Sequence, residues 1–298
     1  MISPTARIDL HTHSTRSDGR GDPAQVMREA AEAGLDIVAL TDHDTTQGWD
    51  EAQAACDEFG LGFIGGIEVT TRTRYVRDDG SAYGFTVHML AYLPNPDFAE
   101  LKTLLAASVE ERHGRLRAIV DKLSMDYDLS WDDVEEVLAA GATPGRPAVA
   151  DAMIKRGHIT VRDEFFTFVK PGSKYYVPNM QVPTPEEAIR LIRSAGGVPV
   201  IAHPMARGMG PRPGDAMPVD HFEHMIDAGL AGFEAFHRDV PPHITEWLEQ
   251  LAFKHDLFLT GSSDYHGTGK ENRLGENLTA PEVLQQILNQ ATGFEPKL

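Results

Sequence analysis

Seven of the thirteen histidines in this 298-residue chain stand at or just past the ends of short apolar runs, each with carboxylates close by. His11 and His13 follow Ile8-Asp9-Leu10, His43 closes Ile37-Val38-Ala39-Leu40-Thr41-Asp42, and His88 lies in Thr86-Val87-His88-Met89-Leu90. His203 ends Val198-Pro199-Val200-Ile201-Ala202, His237 ends Phe233-Glu234-Ala235-Phe236, and His266 follows Gly261-Ser262-Ser263-Asp264-Tyr265. A chain that must gather so many imidazoles and acids at strand ends needs strands that finish at one rim. A barrel of βα units provides that rim, and the residue set is what a multinuclear metal site there requires.

The alternation of strand-like and helix-like segments supports an α/β class with a largely parallel sheet. Asp22, Pro23 and Gln25 form a helix start, Val26, Ala30 and Ala33 an apolar face, and Gly34 a stop. Thr184, Pro185 and Glu187 open a second such unit, and Asp220 with Glu223 a third that runs to Gly229. Strands are expected near 7–11, 37–42, 62–69, 85–92, 198–202, 232–237 and 257–262. Seven parallel-type strands suggest a distorted (β/α)7 barrel, one strand short of the common eight.

Residues 97–183 break this rhythm. Leu101, Leu104, Leu105, Val109, Leu116, Ile119, Val120 and Leu123 repeat with a helical period, a second helix is capped at Ser130, and a third follows Pro147. Tyr175-Tyr176-Val177 is the one strand-like run. The organisation expected is barrel over 1–96, a mostly helical insertion covering the site over 97–183, and barrel again over 184–298. The Gly/Pro-rich stretch 207–218 reads as a loop.

A single cysteine, Cys56, excludes an internal disulfide and fits a reducing compartment. The N-terminus lacks the pattern of a signal peptide, and no apolar stretch approaches the roughly 20 residues that cross a bilayer, so a cytoplasmic location is expected. A net charge of −18 disfavours long nucleic acids and anionic membranes. It leaves room for a small anionic substrate, because divalent cations would reverse the local potential.

Strand alternation puts His11 and His13 on one face, and likewise Asp264 and His266. Asp18 lies in the turn-rich Ser14-Thr15-Arg16-Ser17-Asp18-Gly19, where an Asx-turn role is the alternative. Glu68 ends Phe63-Ile64-Gly65-Gly66-Ile67, and a carboxylate at the end of a buried strand is costly unless paired or metal-bound. Pro204 fixes the backbone after His203 and helps aim its ring, although a plain turn is equally consistent.

Together these segments resemble the polymerase and histidinol phosphatase (PHP) family of metal-dependent phosphoesterases. The matching motifs are Asp9-Leu10-His11-Thr12-His13-Ser14 with Ser17-Asp18-Gly19, Thr41-Asp42-His43-Asp44, Gly66-Ile67-Glu68, Val87-His88, Ala202-His203-Pro204 and Gly261-Ser262-Ser263-Asp264-Tyr265-His266. They occur in the family's order across nearly the whole chain. The resemblance implies two or three divalent metal ions, manganese, iron or zinc. One would be held by His11, His13, Glu68 and Asp264, a second by Glu68, His88 and His203, and a third by Asp18, His43 and His266. Asp42 is a candidate to orient a ligating histidine.

Within the family the chain looks closest to stand-alone nucleotide phosphoesterases with an inserted helical domain. Gly145-Arg146-Pro147 carries that likeness, with Ala148 where members often have histidine. Arg146 at a helix start suits a phosphate. Lys174, His237, Arg238 and Arg16 are further substrate-binding candidates, and His237 is the candidate catalytic proton donor, unless a metal stabilises the leaving oxygen instead. The expected reaction is hydrolysis of a phosphate ester of a small nucleotide, the 3′-phosphate of a nucleoside 3′,5′-bisphosphate foremost. Alternatives are 5′→3′ exonuclease action on short oligonucleotides, histidinol phosphate phosphatase, and a non-catalytic metal-binding module.

Overall fold

Among the described residues the apolar runs form nine strands: β1 (Ile8–Asp9), β2 (Ile37–Leu40), β3 (Gly62–Arg72), β4 (Tyr75–Val76), β5 (Ala82–Tyr83), β6 (Thr86–Tyr92), β7 (Val198–Ile201), β8 (Gly232–Phe236) and β9 (Phe258–Gly261). This is a computed structural model describing residues 2–76, 82–178, 181–206 and 219–298; the stretch 207–218, expected as a loop, lies outside the described residues. The helices are α1 (Pro23–Glu32), α2 (Trp49–Phe59), α3 (Ala99–Leu123), α4 (Trp131–Glu135), α5 (Arg146–Lys155), α6 (Arg162–Phe168), α7 (Pro185–Ser194), α8 (Val219–Asp227), α9 (Pro242–His255) and α10 (Pro281–Gln290).

Seven strands join in the order β1-β2-β3-β6-β7-β8-β9, and β4 pairs with β5 in a separate ribbon. The two ends of the sheet approach each other. Thr12 and Tyr265 form a parallel bridge, and the His13 amide donates to the Tyr265 carbonyl at 2.8 Å. The result is a nearly closed seven-stranded α/β barrel.

All seven expected strands form, but not all run the same way. β6 is antiparallel to both β3 and β7. The thirteen residues between Arg72 and Thr86 hold the β4–β5 ribbon, which leaves no room for a crossover helix, so the chain reverses directly. This reversal serves the site. His88 lies early in β6, opposite Thr70, and thereby reaches the rim where the parallel strands end.

β2 shows why the strands are apolar throughout. Ile37 and Ala39 pack with Ile8, Leu10, Ile64, Leu90 and Val200, whereas Val38 and Leu40 pack against Val26, Met27 and Ala30 of α1. Strands covered on both faces have no polar side. Helix starts follow the expected chemistry: Asp22 accepts from the Gln25 amide at 2.7 Å, and Thr184 with Glu187 makes a reciprocal cap. Gly34, at φ 73°, ends α1.

Between β6 and α7 the chain is helical. α3 starts on the barrel, with Leu101 and Leu105 in its core, and its second half joins a separate apolar cluster running from Leu116 to Val169. Ser130 caps α4 as expected, and α6 was not foreseen. Residues 175–177 form no strand. Tyr175 instead turns its hydroxyl to Asp126 at 2.6 Å. No described helix is long and apolar enough to cross a membrane.

Candidate metal centre

Four buried donor atoms converge at the rim. His11 Nε2 lies 3.0 Å from His13 Nε2, 3.3 Å from Glu68 Oε2 and 3.5 Å from Asp264 Oδ1. His13 Nε2 lies 3.0 Å from Glu68 Oε2 and 3.3 Å from Asp264 Oδ1. Donors about 2.1 Å from a tetrahedral cation stand about 3.4 Å apart. The four atoms therefore already mark out the corners of such a shell, and these residues fit a divalent cation.

The opposite ring nitrogens are held. His11 Nδ1 donates to Glu234 at 2.9 Å, and His13 Nδ1 donates to Ser17 Oγ at 3.3 Å. These bonds fix the tautomers and aim both Nε2 lone pairs inward. Ser17 in turn donates to Asp42 at 2.6 Å. Asp42, the candidate to orient a ligating histidine, accepts from Ser14 and Ser17, so its influence on His13 passes through Ser17.

Glu68 divides its carboxylate. Oε2 faces His11, His13 and, at 3.2 Å, His43, while Oε1 faces His88 at 2.7 Å and His203 at 3.1 Å. Asp18 collects the remaining set, with Oδ1 3.1 Å from His266 Nε2 and Oδ2 3.9 Å from His43 Nε2. Asp18 Oδ1, His43 Nδ1 and His266 Nε2 are buried without a hydrogen-bond partner. His266 Nδ1 donates to the Asp264 carbonyl at 2.8 Å, which leaves Nε2 as a bare acceptor beside another acceptor. Lone pairs facing lone pairs in a buried place are what a cation would resolve. All nine residues expected as ligands thus lie in one cluster.

The electrostatics agree. Burial alone would raise the Glu68 carboxyl, yet His43, His88 and His11 hold it well below its ordinary value. Burial would lower His11, and Glu234, Glu68 and Asp264 together raise it well above its usual range. Strain gathers here too: Asp44, His203 and Asp264 take φ of 54°, 29° and 53°, a region that non-glycine residues seldom enter.

Glu234 escaped the sequence reading. It is fully buried in β8, holds His11 by Nδ1 and accepts the His203 amide at 2.8 Å. The signal was present: a glutamate inside Phe233-Glu234-Ala235-Phe236 must find a partner.

A cavity of 660 Å³ opens over the cluster, and Asp18, His43, Glu68, His88, His203 and Asp264 are part of its lining. Arg112 and Arg115 of α3, Arg146 of α5, Arg72, Lys170 and Lys270 line it as well, Lys270 with its Nζ 2.7 Å from Asp264. Of the expected substrate contacts, only Arg146 is among these. Lys174 pairs with Asp126 at the surface, Arg16 with Glu51 at 2.9 Å and Arg238 with Glu276 at 3.5 Å, and none of the three lines this cavity. Each carries an acid close in space that the sequence does not reveal. His237 sits beside the cluster, its Nε2 3.9 Å from Asp264 Oδ2, and lines a smaller depression on the β8–α9 side.

The comparisons fit this picture. The family model of the PHP domain matches residues 9–142. A crystal structure of a Bifidobacterium adolescentis protein described as a metal-dependent phosphoesterase shares 38% identity, covers 97% of this chain and 98% of its own, and superposes with a TM-score of 0.87. The phosphoribosyl 1,2-cyclic phosphate 1,2-diphosphodiesterase of Eggerthella lenta is 29% identical, over 87% of this chain and 94% of that protein. The 3′,5′-nucleoside bisphosphate phosphatase of Chromobacterium violaceum is 29% identical, over 95% of each. With its buried His/Asp/Glu cluster at the rim of a seven-stranded barrel, this chain belongs to the PHP family and is a metal-dependent phosphoesterase.

Proposed function

We propose that the enzyme removes the 3′-phosphate from a small nucleoside 3′,5′-bisphosphate. The observation that carries this reading is the polarity of the cavity. Its lining combines the metal-fitting cluster with a group of cations. Burial, with Arg146 and Arg112 close by, pushes Arg115 down to about 10, and a bound anion would offset that repulsion. A substrate with two anionic groups offers one to the metal-fitting cluster and one to the arginines. The Chromobacterium violaceum relative acts on such a molecule.

His11, His13, Glu68 and Asp264 would hold one divalent ion, Glu68, His88 and His203 a second, and Asp18, His43 and His266 a third, from among manganese, iron and zinc. Bound cations supply Lewis-acid polarisation and acidify water near neutral pH. Arg146, at the first turn of α5, receives the 5′-phosphate, and its guanidinium lies over the Phe166 ring at 5.3 Å, which fixes its plane. In the reaction a water oxygen bonds to phosphorus, the P–O3′ bond breaks, and the leaving oxygen takes a proton. His237 is the candidate donor. In its doubly protonated form it would pass on the Nε2 proton, on the side of Asp264, and be left as the neutral ring. The strongly acidic surface favours small substrates over long nucleic acids.

The test presents the manganese-loaded protein with adenosine 3′,5′-bisphosphate, a pentanucleotide and histidinol phosphate. Preferential release of phosphate from the bisphosphate supports the reading; shortening of the pentanucleotide from its 5′ end, with the bisphosphate untouched, overturns it.

A further inference from the structure

Arg112 reaches the metal-fitting cluster from α3, far from the cluster's own segments in sequence. Its side chain is 13% exposed, and its Nε donates to Asp44 Oδ2 at 2.7 Å. One Nη donates to Thr70 Oγ1 at 2.5 Å. Both acceptors are themselves fixed. Asp44 takes the Thr70 amide and hydroxyl, each at 2.8 Å, while its amide donates to the Glu68 carbonyl at 3.2 Å. Asp44 directly follows His43, and Thr70 lies two residues past Glu68 on the same face of β3.

The guanidinium is thus locked onto the two residues that flank the cluster, with one edge turned to protein. Its other Nη has no protein partner among the described residues, and Arg112 lines the cavity beside Asp18, His43 and Glu68. A plain counterion for Asp44 would need neither the second anchor nor a place on the cavity wall. The left-handed backbone of Asp44, φ 54°, is an unfavourable conformation retained where it aims that carboxylate.

We propose that Arg112 is a catalytic residue that contacts the phosphoryl group under attack and stabilises charge on its equatorial oxygens as the P–O3′ bond breaks. The proposal deepens the phosphoesterase reading and rests on it. A planar donor held rigid by two acceptors loses little order on meeting the transition state, which is where preorganised donors act most strongly. This separates Arg112 from Arg146, whose role is to hold the remote phosphate.

The experiment compares wild type, Arg112→Met and Arg112→Ala, each loaded with manganese, for kcat, KM, metal content and affinity for vanadate. Vanadate adopts the five-coordinate geometry of the transition state. Arg112→Met is expected to lose about 100- to 1,000-fold in kcat, with KM and metal content little changed, and to lose vanadate affinity in parallel. Added guanidinium is expected to restore part of the turnover in Arg112→Ala. A raised KM with kcat intact overturns the proposal, as does a kcat loss that merely follows lost metal, or vanadate binding that ignores the substitution. Vanadate affinity is read by calorimetry without a nucleotide. An enzyme that ignores adenosine 3′,5′-bisphosphate but binds vanadate through Arg112 therefore refutes the substrate and leaves Arg112 standing.

Discussion

His11 gives its Nδ1 proton to Glu234 at 2.9 Å while its Nε2 faces Glu68 and Asp264 at 3.3 and 3.5 Å. One acid therefore sets the orientation of a ring whose far nitrogen belongs to the metal-fitting cluster. The same Glu234 pins the His203 backbone, so two of the proposed ligands depend on it.

Replacing Glu234 by Gln keeps the shape of the side chain and removes its charge. The expected consequence is a metal affinity weaker by about 10- to 100-fold, with the fold intact. Titration of metal-free protein with manganese, followed by calorimetry, measures this. Unchanged affinity would remove Glu234 from the support of the centre.

Glu68→Ala withdraws a carboxylate whose two oxygens face different histidine sets. Bound metal should fall by more than one ion per chain, and turnover should nearly vanish. Elemental analysis beside phosphate release checks both. Near-normal metal content with near-normal activity would contradict the shared position of Glu68.

Arg146→Ala should raise KM for a 3′,5′-bisphosphate by about 10- to 100-fold, the cost of one charged hydrogen-bonded contact. A nucleoside 3′-monophosphate, lacking the remote phosphate, should be processed as before. Lys174→Ala, whose partner is Asp126 at the surface, should change neither. Equal losses on both substrates in Arg146→Ala would place that arginine elsewhere in the mechanism.

Cys56 is fully buried on α2, and burial pushes its thiol from 9.0 up to about 12. The unfolded chain then releases this proton at lower pH than the native one, so this residue's contribution to stability falls as pH rises from 9 towards 12. Denaturant unfolding of wild type and Cys56→Ala at several pH values should show a shallower alkaline decline in the variant. A thiol reagent at pH 8 should label the wild type only after unfolding.

Much of the centre was legible because strand geometry is local. A histidine at the end of an apolar run is a rim residue wherever the run forms a strand, and all nine expected ligands meet. What escaped depends on distance along the chain. Glu234 finds His11 across 223 residues, and Arg112 finds Asp44 across 68. Nothing in the helical repeat of α3 says which of its arginines looks into the cavity. Lys170 and Lys174 lie one helical turn apart in sequence, and only the fold shows that the first lines the cavity. The direction of β6 was hidden for another reason: a strand buried on both faces has the same apolar pattern either way round.

The most direct measurement follows phosphate release from adenosine 3′,5′-bisphosphate as manganese is returned to chelator-treated protein. Activity should be absent without metal, rise as manganese is bound, and yield adenosine 5′-monophosphate. Release that persists without metal, or adenosine 3′-monophosphate as the product, would contradict the account.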